Sequence, residues 1–93
     1  MSVEEILKSG KYNLIDVREP LELEMDGEIS SAVNIPLGEL ENRKQEVQNM
    51  EGPKIFFCRS GNRSGKAAAL FSDRDDVYNG GGYEDVKKQV DNA

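Results

Sequence analysis

Apolar residues in this chain recur at two spacings, helical and strand-like, and the two take turns along its length. Val3, Ile6 and Leu7 fall at helical spacing and Gly10 is a natural stop, so a first helix is expected over Val3–Ser9. Residues 12–17 follow as a strand. It is apolar from Leu14 to Val17 apart from Asp16, as expected of a strand buried on both faces of a parallel sheet. Pro20 suits the first turn of a short helix over 21–25, which Asp26-Gly27 ends. A second, short strand is expected at 32–34, and Pro36 leads out of it because proline cannot continue a central strand.

Leu37, Leu40 and Val47 form a thin apolar stripe on a charged background, which predicts one surface helix over 37–47. Glu51-Gly52-Pro53 turns the chain into a third strand at 54–57. A helix over about 64–71 should follow, then a last strand at 77–79, the triplet Gly80-Gly81-Gly82, and a helix over 83–90 with Val86 and Val90 inward. Strands alternating with helices imply an α/β fold, a small parallel sheet covered on both faces, with right-handed crossovers.

Composition narrows the function. With 93 residues the chain, 1–93, is expected to be a single small domain with one modest core. Its first residues, Met1-Ser2-Val3-Glu4-Glu5, lack the basic and apolar regions of a secretion signal, and one cysteine cannot form an internal disulfide. Both point to a reducing, cytoplasmic setting, unless this is a mature form whose signal has been removed. No apolar run approaches the roughly 20 residues of a membrane span, so no membrane partner is expected. A net charge of −6 argues against nucleic acid as a partner. With no histidine, Ser-His-Asp and Cys-His mechanisms are excluded, and so is a Cys/His metal cluster. No cofactor is implied.

Positive charge is nonetheless concentrated in one place. Arg59, Arg63 and Lys66 follow the single cysteine, Cys58, and no acid occurs between Lys54 and Asp73. A lone cysteine at the end of a buried strand is ordinarily a small core hydrophobe. The residues after it, Arg59, Ser60, Gly61, Asn62, Arg63 and Ser64, are instead types that curl a backbone around an anion, with Gly61 suited to positive φ and Asn62 tolerant of it. A loop of this kind leading into a helix N-terminus favours thiolate over thiol and attracts a small anionic substrate. Four residues separate Cys58 from Arg63. Cysteine phosphatases have five, a cradle wide enough for a phosphoryl group; the tighter ring suits a single added sulfur atom, leaving a phosphatase or arsenate reductase as the lesser reading.

Asp16-Val17-Arg18-Glu19-Pro20, Ala32-Val33-Asn34-Ile35-Pro36, Cys58-Arg59-Ser60-Gly61-Asn62-Arg63-Ser64 and Gly81-Gly82-Tyr83 occur in this order. Together they resemble the successive signatures of single-domain rhodaneses, the thiosulfate sulfurtransferase family. The resemblance implies a three-layer rhodanese-like fold and a catalytic Cys58 that takes sulfur from thiosulfate or a persulfide donor as a persulfide and passes it to cyanide, a thiol or a protein. It also implies that the loop amides over residues 59–64 stabilise the persulfide, with Arg59 and Arg63 attracting the sulfonate. Asp16 and Arg18 become supporting residues, Arg18 through ion pairing for which Glu22, Glu24 and Glu28 are at hand. A non-turnover carrier or protein-interaction domain is the alternative, with the acidic residues Glu39, Glu41, Glu46, Asp75 and Asp76 as a docking face. The chain departs from the family pattern at Gly27-Glu28-Ile29, where histidine often stands between the glycine and isoleucine, at Ser30-Ser31, and at Val86 in place of a common tryptophan.

Overall fold

The structure, a computed structural model, describes residues 2–92; Met1 and Ala93 lie outside the described residues. Four parallel strands form one sheet in the order β2-β1-β3-β4. They are β1 (Asn13–Asp16), β2 (Val33–Asn34), β3 (Lys54–Cys58) and β4 (Val77–Gly82). The helices are α1 (Val3–Ser9), α2 (Pro20–Asp26), α3 (Leu37–Leu40), α4 (Lys44–Gln48), α5 (Asn62–Ala69) and α6 (Tyr83–Asp91).

Strand alternation divides the core in two. Ile15, Val17, Phe56 and Cys58 face one side and pack with Leu40 and Val47 from the 37–48 segment, Ala67 of α5 and Phe71 just beyond it. Leu14, Ile55 and Phe57 face the other and pack with Ile6 and Leu7 of α1 and Tyr83 and Val86 of α6. The molecule is therefore the three-layer α/β arrangement expected, with β3 buried along its whole length. Among the described residues no helix is long and apolar enough to cross a membrane.

Three elements differ from the sequence pattern. The single helix expected over 37–47 is broken into α3, a 3₁₀ turn at Glu41–Arg43, and α4, because Arg43 leaves helical geometry at φ −116°. Leu40 and Val47 still reach the core at 0% exposure, so the stripe was placed and its continuity was not. The helix after Cys58 begins at Asn62, two residues early, and Asn62 takes no positive φ because it already belongs to the first turn. Strand β4 runs on through all three glycines. Phe56 pairs with Asn79 and Phe57 with Gly81, so Gly80 is the extra residue of a β-bulge.

Candidate active site

Cys58 ends β3 and has no exposed surface. Its Sγ receives the backbone N–H of Gly61 at 3.0 Å and that of Ser64 at 3.4 Å, and lies 3.5 Å from Ser64 Oγ. The loop closes this tightly because Gly61 stands at φ 96°, a left-handed conformation that side chains disfavour, immediately before α5. Its far side is bounded by β4: a Cβ on Gly82 would stand 2.8 Å from the carbonyl oxygen of Arg59, so glycine is needed there for the strand to pass the loop. Burial pushes the Cys58 thiol up. The backbone amides of Ser64, Ser60 and Gly61 pull the other way, and the thiol sits below its ordinary value.

The two loop arginines part company. Arg63 extends from α5 to Glu22 of α2, Nη1 to Oε2 at 2.9 Å, both side chains about a third exposed. That pairing, with Cys58 a smaller contribution, raises the Arg63 guanidinium above its ordinary value and lowers Glu22. Arg59 is exposed and lines a cavity of about 420 Å³ together with Arg18, Asp26, Tyr83, Glu84 and Asp85. Cys58 is not among its lining residues. Ser60 and Asn62 are exposed, and Ser64 is fully buried against the sulfur.

Asp16 and Arg18 form a buried pair, each 1% exposed. Arg18 Nη2 meets Asp16 Oδ2 at 2.7 Å and Nε meets Oδ1 at 3.0 Å, so the guanidinium engages both carboxylate oxygens. Arg18 also donates to the carbonyl of Gly27 and lies 4.2 Å from the centre of the Tyr83 ring. The partner of Arg18 is thus Asp16, correcting the expectation of Glu22, Glu24 or Glu28: Asp16 already lies inside the core two residues back, and Glu22 is taken by Arg63. The acidic docking face is altered too, since Glu39 and Glu46 pair with Arg43, and Asp76 with Lys54 and Arg74.

Asn79 was missed. Its side chain bonds Ser64 Oγ at 2.6 Å and the Gly61 carbonyl at 3.2 Å, so β4 holds the loop from the side. The available signal was a polar residue directly before the glycine triplet.

The parallel α/β sheet thus carries a buried, amide-bound cysteine at its carboxyl end, the end where ligands of such sheets bind. The comparisons make this more particular. Residues 2–89 match the rhodanese-like domain, and the chain belongs to that family. It is 46% identical over 67 residues to the uncharacterized protein YqhL of Bacillus subtilis, covering 70% of this chain and 52% of that one. The chain spans about half the length of the curated relatives it matches. Among solved structures it resembles reduced Bacillus anthracis CoADR-RHD, with TM-score 0.72, 37% identity, and coverage of 95% of this chain and 15% of that one. It also resembles the human single-domain sulfurtransferase TSTD1, with TM-score 0.68, 26% identity, and coverage of 92% and 89%.

Proposed function

We propose that this chain acts as one domain, a sulfurtransferase that carries sulfur on Cys58. The observation that supports it most is the Cys58 sulfur itself, held by the Gly61 and Ser64 amides in a loop with four residues before Arg63. The Cys58 thiolate attacks the outer sulfur of thiosulfate, the S–S bond of the donor breaks, and sulfite leaves with its electron pair. The product is a Cys58 persulfide whose terminal charge the loop amides stabilise. A nucleophilic acceptor such as cyanide or a thiol then takes the outer sulfur and returns the thiolate. Arg63 is the residue we assign to the donor's sulfonate, in competition with Glu22. The lone cysteine favours a reducing, cytoplasmic setting.

Exposure to thiosulfate should add about 32 Da, one sulfur atom, to the protein by mass spectrometry, and cyanide should remove it. Cys58→Ser should show no addition. Absence of the adduct on the unaltered protein sinks this reading.

A protein sulfur donor or acceptor has support of its own. Cys58 is closed to solvent, and Leu21 and Met25 of α2 are 62% and 75% exposed, a patch suited to a docking partner. Slow loading by thiosulfate with fast loading by a protein persulfide would favour it.

A further inference from the structure

Asn79 is bound to the Cys58 loop yet has no part in the chemistry above. It stands on β4 opposite Phe56, immediately before the bulge, on the side of the sheet covered by α5. Gly65 of α5 leaves it room, since a Cβ there would already lie 3.4 Å from Asn79 Nδ2. Asn79 Oδ1 accepts the backbone N–H of Gly81 at 3.0 Å, and Nδ2 donates to the carbonyl of Gly61 at 3.2 Å.

These two partners settle which end of the amide is which, because a backbone N–H can only donate and a carbonyl can only accept. Oδ1 has no proton to give. The 2.6 Å contact between it and Ser64 Oγ therefore holds the Ser64 hydroxyl proton. A serine hydroxyl has one proton. With that proton committed to Asn79, Ser64 Oγ turns only lone pairs toward Cys58 Sγ at 3.5 Å, and the S–H is the donor in that contact.

We propose that Asn79 is a positioning residue that turns the Ser64 hydroxyl away from Cys58 and thereby favours the thiol over the thiolate in the resting site. The Gly61 and Ser64 amides favour the thiolate; Ser64 Oγ, as Asn79 orients it, opposes them. Rotating the hydroxyl toward an anionic sulfur would leave two unprotonated oxygens 2.6 Å apart, so the pair resists that rotation. The other charged or titratable groups near this sheet edge are Arg63 of α5, Glu22 of α2, Asp16 and Arg18 at the end of β1, Arg59 of the loop, and Tyr83 of α6. The substitutions below leave all of them in place.

Cys58 is the only cysteine, so its rate of alkylation by iodoacetamide across a pH series, followed by mass spectrometry, reads its thiolate fraction. Asn79→Ala releases the hydroxyl, and the midpoint should fall by about half a pH unit or more. Asn79→Asp keeps an acceptor for Ser64 and adds charge, so the midpoint should rise. Both variants lose the bond to the Gly61 carbonyl, and loop loosening alone would shift them in the same direction. In a Ser64→Ala background, Asn79→Ala should leave the midpoint where Ser64→Ala alone puts it.

An upward shift or none in Asn79→Ala, or the same shift in both backgrounds, overturns the proposal. Should the Asn79 variants fail to fold, Ser64→Ala decides: an unchanged or lower midpoint is expected, and a higher one means that Ser64 donates to the sulfur and overturns it. The inference refines the site of the sulfurtransferase reading, but its measurement uses no sulfur donor. A protein that alkylates as expected and takes no sulfur from thiosulfate fails only the sulfurtransferase reading.

Discussion

Arg18 and Asp16 are paired with almost no water around either, so each depends on the other. Arg18→Ala leaves a buried carboxylate alone and should lower stability by about 3–5 kcal/mol in urea unfolding, a large part of what a domain of this size has. Arg18→Lys should recover little, because an ammonium cannot span both carboxylate oxygens as the guanidinium does. A loss below about 1 kcal/mol for Arg18→Ala would place the pair among weak, solvated ones. The pairing was within reach of the sequence, since residues two apart on a nearly extended chain share a side. The nearby glutamates obscured it. The placement of Cys58 between a strand and a helix was readable because the pattern is local, a run of seven residues. Asn79 was not, because its aim depends on the bulge at Gly80, which the glycine triplet suggests and does not locate.

Helix α2 has no buried residue. Two polar contacts anchor it to the rest of the fold: the Glu22–Arg63 pair, and the Gly27 carbonyl accepting from Arg18 at its end. Glu22 also accepts the Glu19 backbone N–H at 3.3 Å, supporting the helix's own first turn. Glu22→Gln keeps an acceptor for that turn and removes the charge that holds Arg63. Stability should change by less than about 1 kcal/mol, as for other partly exposed pairs. The freed Arg63 should lower KM for thiosulfate several-fold with kcat nearly unchanged, because Glu22 no longer competes with the sulfonate. A raised KM would mean that Glu22 orients Arg63 rather than occupying it. The helix itself was legible from Pro20 and Asp26-Gly27, while its tie to α5 was not: the two paired residues are 41 positions apart. The broken 37–47 helix makes the same point in reverse, with apolar spacing marking the buried residues and giving no sign of the 3₁₀ turn between them.

At the scale of the whole molecule, the alternation of strands and helices revealed the parallel sheet, whereas the order β2-β1-β3-β4 is set by long-range pairing that periodicity does not encode. Because all the pairings are parallel, the carboxyl ends of the strands share one edge of the sheet and their amino ends the other. Asp16 and Cys58 sit where β1 and β3 end, and at the opposite edge β3 begins with Lys54, 1% exposed, its Nζ 2.7 Å from Asp76 and 2.9 Å from the Gly52 carbonyl. Arg74 reaches Asp76 as well, and together, Arg74 first, the two cations hold the Asp76 carboxyl well below the ordinary carboxylate range. Asp76→Asn strips the buried Lys54 of its counter-charge. Because Asp76 is about 30% exposed and the Gly52 carbonyl remains, the loss should be about 2 kcal/mol rather than that of a fully enclosed pair. A carboxyl depressed in the folded state stabilises above its unfolded value, near about 3.9, and loses that contribution as pH falls toward the folded value. The gap between the unaltered protein and Asp76→Asn should therefore stay constant from neutral pH to about pH 5 and narrow only below about pH 4, while the Cys58 alkylation midpoint stays where it was. A gap that closes nearer neutrality would assign the effect to another group, and a moved midpoint would mean that the two edges of the sheet are coupled.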